Sequence, residues 1–150
     1  MATAHDVAAY ILDRLGGMSA MKLEKLVYYS KAWHLVWEER SLFSERIEAW
    51  ANGPVVRDLY RNHRGLFTVS EWPSGDPKQL DKGERESIDA VLDYYAPMTA
   101  HQLSELTHRE GPWIAARERA HARPGEWSSA EILEADMHEY YDGLTSASTD

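Results

Sequence analysis

The chain has 150 residues, 43% of them apolar and 27% charged, long enough for one domain with a real core and too apolar for long-range disorder. Sixteen basic residues against 25 acidic ones leave a formal net charge of −9, which argues against sequence-independent nucleic-acid binding and against an anionic membrane surface, since both rest on Lys and Arg. No cysteine is present and the opening MATAHDVAAYILDRL has no basic stretch ahead of an apolar run, so disulfides, thiol chemistry, a signal peptide and a membrane span are all disfavoured and a cytoplasmic location is expected.

In chain order, Thr3 with Asp6 reads as a capping box, and Val7, Ile11 and Leu15 follow at helical spacing until Gly16-Gly17. Ser19 caps a second predicted helix whose inner face is Leu23, Leu26, Val27, Ser30, Trp33 and Trp37, ending at Arg40-Ser41. Leu42 to Ala51 is weakly strand-like, with Ile47, Ala49 and Ala51 on one side and Glu48 and Trp50 on the other. Gly53 offers a turn, and Pro54 stands where a third helix would accept proline, with Val56, Leu59, Tyr60 and His63 on its face and Gly65 after it. Leu66 to Val69 reads as a second short strand, paired with the first, and Ser70 to Gly83 as a loop.

Asp81 with Glu84 opens a helix faced by Ile88, Val91, Leu92 and Tyr95, which Pro97 ends. Thr99 with Gln102 opens the next, stapled by Met98 and Leu103, and Gly111-Pro112 breaks it and restarts a helix at Trp113. After a turn at Arg123-Pro124-Gly125, Ser128 with Glu131 predicts the cap of a last helix, with Leu133, Met137, Tyr140 and Leu144 on its face. The sum is a mostly α (α+β) fold: six to seven short helices and a small two- to three-stranded β element near residues 42–51 and 66–70. One domain over residues 1–144 and a polar, flexible tail over 145–150 are expected.

The chemistry-bearing residues do not assemble into an active site. His101 and His108 are two helical turns apart, and Glu134 with His138 lacks the HExxH pattern. There is no GxSxG elbow, no P-loop and no dinucleotide fingerprint. Neither a catalytic set, a metal nor a cofactor is expected. Aromatic residues instead dominate: six Trp and eight Tyr against two Phe, residue types that suit half-buried positions and interfaces. Tyr28 and Tyr29 are adjacent on a helix and leave it about 100° apart, so one of them is expected at a boundary. The third helix is expected to hold a carboxylate at its N-terminus, from Glu48 or from a partner.

The run KLEKLVYYSKAWHLVW, then LF, then EAWANGPVVRDLY, together with the later THREGPW, resembles the Panacea domain of SocA-like antitoxins and phage-associated proteins over roughly residues 1–118. By that resemblance Lys25, Tyr28, Tyr29, Trp33, His34, Trp50, Gly53, Pro54, Val55, Thr107, His108, Gly111, Pro112 and Trp113 occupy the family's motif positions. The two Gly-Pro joints read as mainly architectural, and the final helix and the loop from Ser70 to Gly83 as candidates for partner choice. The implied function is an antitoxin that neutralises a cognate toxin, encoded beside it, by direct binding. Its alternatives are an adaptor that delivers the toxin to a protease, and a transcriptional autoregulator reading DNA with Arg57, Arg61, His63 and Arg64. A homo-oligomer would use the same aromatic surplus.

Overall fold

The computed structural model describes residues 2–148, with side chains through Thr145. The described elements are α1 (Ala4–Leu15), β1 (Met18–Ser19), α2 (Ala20–Glu38), β2 (Ile47–Trp50), β3 (Gly53–Val56), α3 (Arg57–His63), β4 (Thr68–Val69), α4 (Lys82–Tyr95), α5 (Ala100–His108), α6 (Gly111–Arg119) and α7 (Glu134–Ser148). The fold is therefore mostly α, with seven helices and two small antiparallel two-stranded sheets among the described residues.

Three of the predicted caps form as capping boxes. Thr3 and Asp6 close α1, Asp81 and Glu84 close α4, and Thr99 and Gln102 close α5, each pair satisfying two backbone N–H groups reciprocally. Ser19 Oγ accepts from the Lys22 amide at the start of α2. Helix α2 is the axle: α1, α4, α5, α7 and β3 all pack on it, so it is buried on nearly every side. The one-sided stripe expected from the sequence is corrected accordingly. Glu24, Lys25, Lys31 and His34 are buried along with its apolar residues, whereas Trp37 is 44% exposed. Leu15, placed on the inner face of α1 by periodicity, is also exposed.

The β element is wired differently from the expectation. β2 pairs with β3 through a two-residue loop, Ala51-Asn52, in the register Ile47↔Val56 to Trp50↔Gly53. Pro54 thus lies in an edge strand opposite Ala49 and does not open a helix. Helix α3 starts at Arg57, so Val56 belongs to the strand. The outer edge of β2 is covered by residues 130–132: the Ala49 amide donates to Ala130 O and the Ile132 amide to Ile47 O, both at 2.8 Å. This extended segment displaces the predicted cap at Ser128 and Glu131, and α7 begins only at Glu134. β4 pairs with β1, not with β2.

The loop between β4 and α4 is pinned to α1. Trp72 is buried and donates to His5 Nδ1 at 3.1 Å, and the Asp76 amide donates to Asp6 at 2.8 Å. Gly75 passes so close to the His5 carbonyl that any Cβ there would overlap it. At the far end α7 takes in residues 145–148 of the expected tail, and residues 149–150 lie outside those described.

Candidate functional site

Tyr28 and Tyr29 are 1% and 0% exposed, so the expectation that one of them reaches a boundary is corrected. Helix α2 is covered by α4, α5, α7 and β3. The phenols have found polar partners. Tyr29 donates to Glu110 Oε1 at 2.7 Å, Tyr141 donates to the same oxygen at 2.8 Å, and the Tyr28 and Tyr141 hydroxyls lie 3.0 Å apart. Tyr95 stacks on Tyr29 at 4.0 Å and accepts from Trp33 Nε1 at 2.9 Å. Burial pushes the Glu110 carboxyl above its ordinary value, against the two tyrosine donors that favour its charge. The Tyr28, Tyr29 and Tyr141 phenols are pushed up by burial too. These groups are held in their protonated state as donors, which fits a structural network. Neither Tyr141 nor Glu110 is among the residues that sequence reasoning singled out. The predicted face of the last helix chose Tyr140, one position away from the side chain that enters the core.

A second network ties α2 to the β3–α3 joint. A carboxylate does sit there, but it is Glu24: Oε1 accepts from the Val56 amide and Oε2 meets His63 Nε2, each at 2.8 Å. Glu48, the predicted candidate, is held by Arg46 at 3.2 Å, Arg57 at 3.0 Å and Trp50 Nε1 at 2.8 Å. The basic cluster invoked for DNA reading is thereby divided. Arg57 serves Glu48, His63 is buried against Glu24, and Arg61 lies 3.7 Å from Asp58 on a seven-residue helix. His34 Nδ1 contacts Ser87 Oγ at 2.7 Å, and burial lowers the imidazole pKa.

The two motif blocks meet at the hairpin loop. Trp113 Nε1 donates to Trp50 O at 2.9 Å, His108 Nε2 contacts Ala51 O at 2.8 Å, and Ser104 Oγ donates to Asn52 O at 2.6 Å. Trp113 and His108 of the second block, with Ser104 just before it, therefore serve the carbonyls of the hairpin turn. Gly53 has φ 123° and touches Lys25 and Thr107, while Val55 and Pro112 are buried and Pro112 opens α6. At Gly111 a Cβ would press Tyr140 Cδ1 at 3.0 Å. Lys25, Trp50, Gly53, Pro54, Thr107, His108 and Trp113 thus gather around the hairpin, and Tyr28, Tyr29 and Trp33 around Glu110.

On the other flank of α2 an open groove of about 590 Å³ runs between α2, α4, α5 and α7. Trp33, Trp37, Tyr94, Tyr95, Tyr140 and Leu144 line it, with Glu110 in the lining and Arg109 at the α5 end. Tyr94 is 67% exposed, Trp37 44% and Leu144 41%. Only Trp33 of these belongs to the motif set. Tyr94 adjoins Tyr95 on α4 and leaves the helix in another direction; it is exposed where the equally adjacent Tyr28 and Tyr29 are not, because α4 is not enclosed as α2 is.

Of the histidines weighed as ligands, His101 lies beside Glu105 at 3.4 Å, and Glu134 is taken by Ser41 and Lys31. His5, Glu45 and Asp58 bring ligand atoms within 4.8 Å of one another. His5 already accepts from Trp72, Glu45 from the Ala4 amide, and Asp58 faces Arg61.

The family model for the antitoxin SocA-like Panacea domain matches residues 23–114, more than half of the chain and the span that holds both motif blocks. The chain belongs to this antitoxin family. No curated protein and no solved structure matches it. The matched span ends before α7, so Tyr140, Leu144 and Thr145 of the groove lie outside it. No helix among the described residues is long and apolar enough to cross a membrane.

Proposed function

We propose that this Panacea-domain protein is a cytoplasmic antitoxin that binds a cognate, adjacently encoded protein toxin directly and occludes its working surface. The observation that carries the reading is the aromatic groove. Trp37, Tyr94 and Leu144 hold large apolar surface in water along a mainly apolar groove that Arg109 and Glu110 also line, the arrangement of anchor residues in protein interfaces. The net charge of −9 favours encounter with a basic partner. Part of the groove comes from α7, beyond the span matched by the family model, which lets a common scaffold be paired with different toxins.

The buried carboxylates fit a non-catalytic role. Glu24 is engaged by His63 and the Val56 amide, and Glu110 by two tyrosines. Delivery of the toxin to a protease would use the same surface and differs only in the fate of the bound toxin. Operator binding is the weaker alternative, because three of the four basic residues it needs are paired with acidic groups.

The test is growth rescue. Each gene flanking this one is expressed alone and then together with this protein, and the rescued neighbour is copurified through a tag. Rescue by the wild type, with loss of rescue and of copurification in a Trp37→Asp, Tyr94→Asp double variant of unchanged stability, is expected. A neighbour rescued equally by that variant would exclude the groove. Absence of any toxic neighbour would exclude the antitoxin reading.

A further inference from the structure

A second pocket, of about 350 Å³, opens where the start of α2, the β2–β3 loop and the start of α5 converge. Its walls include Met21, Lys25, Trp50, Asn52, Ser104 and Trp127. Lys25 is 1% exposed, and its Nζ meets no hydrogen-bond acceptor among the described residues. The carbonyls of the pocket-lining Asn52, Ala51 and Ser104 accept instead from Ser104 Oγ, His108 and Thr107 Oγ1, the last at 2.8 Å. Burial lowers the Lys25 pKa from 10.5 to about 8, with Glu24 acting in the opposite direction. Near neutral pH the group is still mostly an ammonium. A buried ammonium without a hydrogen-bond acceptor is a costly feature for a small domain to keep, so its retention calls for a reason.

The backbone makes room for this lysine. A Cβ on Gly53 would fall 2.5 Å from Lys25 Cε and 3.3 Å from Nζ, so only glycine lets the hairpin close over it. Ala100, the first residue of α5, also lines the pocket, which brings the positive end of that helix dipole to the same place. Met21, Trp50 and the 65%-exposed Trp127 supply an apolar wall.

We propose that this pocket is a binding site for a carboxylate attached to an apolar group, with the Lys25 ammonium as counter-ion and Trp50 and Trp127 flanking the apolar part. Such a ligand completes the lysine's missing charge-assisted hydrogen bond. Two sources share this chemistry: the C-terminal carboxylate of a polypeptide and a free small acid. The site is separate from the groove and does not depend on the antitoxin reading.

The experiment uses the full chain, ¹⁵N-labelled, and monitors the tryptophan indole N–H resonances, with the Trp127 signal assigned by its loss in Trp127→Ala. The probes are N-acetylphenylalanine, N-acetyl-Gly-Gly-Phe, and the C-terminal amide of that tripeptide. Saturable shifts of the Trp127 signal with a free carboxylate are expected, weakened roughly tenfold or more in the amide and abolished in Lys25→Met. Equal binding of the single residue and the tripeptide identifies a small acid as sufficient, and binding of the tripeptide alone identifies a chain end. The proposal is overturned if neither acid saturates, if the amide binds as well, or if Lys25→Met binds like the wild type. Should Lys25→Met lose its dispersed spectrum, Ala100→Phe, which narrows the pocket from its rim, takes its place: lost binding supports the site and retained binding overturns it.

Discussion

Helix α2 carries two buried lysines six residues apart, and the structure treats its two ends differently. At the C-terminal end Lys31 donates to Phe43 O at 2.9 Å, faces Glu134 at 3.2 Å and lies over the Phe43 ring. At the N-terminal end Lys25 has burial of the same degree and no hydrogen-bond acceptor among the described residues. Glu110, in the middle, resembles Lys31, with two hydroxyl donors on one oxygen. The contrast separates two reasons for burying a polar group. A group with its partners supplied links segments distant in sequence, as Lys31 links α2 to the chain before β2 and to α7. A group without them is a cost that the folded state carries for another purpose.

The sharpest way to break this contrast is at Glu110. Glu110→Leu leaves the Tyr29 and Tyr141 hydroxyls without their acceptor, and a loss of about 3–5 kcal/mol in urea unfolding is expected. Its pH dependence has a definite sign. The folded-state carboxyl is raised, so its contribution is fully present below the ordinary glutamate value and is lost as pH rises through the raised one. The wild type therefore declines relative to Glu110→Leu over that interval, and a flat difference would contradict the assigned burial cost. Next comes Lys31→Met, which strips the Phe43 carbonyl and Glu134 of their donor; a loss of about 1–3 kcal/mol is expected from the same measurement.

At the other end the effects shrink. Gly53→Ala forces a side chain into left-handed backbone against Lys25 Cε, with an expected cost of about 1–2 kcal/mol. Combining it with Lys25→Ala should recover part of that cost, and a strictly additive double mutant would show that the clash is not with the lysine. Lys25→Met alone should gain about 1 kcal/mol or more over the wild type at pH 7, in contrast to the loss in Lys31→Met, because a buried ammonium without an acceptor gives way to an apolar chain of similar shape. The folded pKa of Lys25 is depressed, so its contribution is full above 10.5 and is lost as pH falls through about 8. The wild type should therefore gain on Lys25→Met as pH rises across that window. Smallest of all, Trp37→Ala and Tyr94→Ala should shift thermal unfolding by no more than about 0.5 kcal/mol each, as expected of exposed side chains outside the buried networks.

Local signals in the sequence located the helices well. The capping boxes at Thr3, Asp81 and Thr99 needed only residues three apart, and the structure forms all of them. The family was also legible, because its two motif blocks are contiguous strings. Pairings were not. Pro54 reads as a helix start, yet it lies in a strand because Ile47 to Trp50 runs alongside it. Ser128 and Glu131 have the spacing of a cap, but residues 130–132 are drawn out along the free edge of β2.

The sequence by itself determined the mostly helical character, the capping boxes of α1, α4 and α5, the acidic charge and the family, since each depends on residue type and short-range spacing. Only the tertiary structure decided which polar residues are internal and which aromatics face water. Helix α2 is enclosed on several sides by helices contributed from far along the chain, so its one-dimensional pattern carries no inner and outer face to read. The Tyr–Glu110 network, the groove and the lone Lys25 ammonium exist only once α4, α5, α7 and the hairpin have closed around that helix.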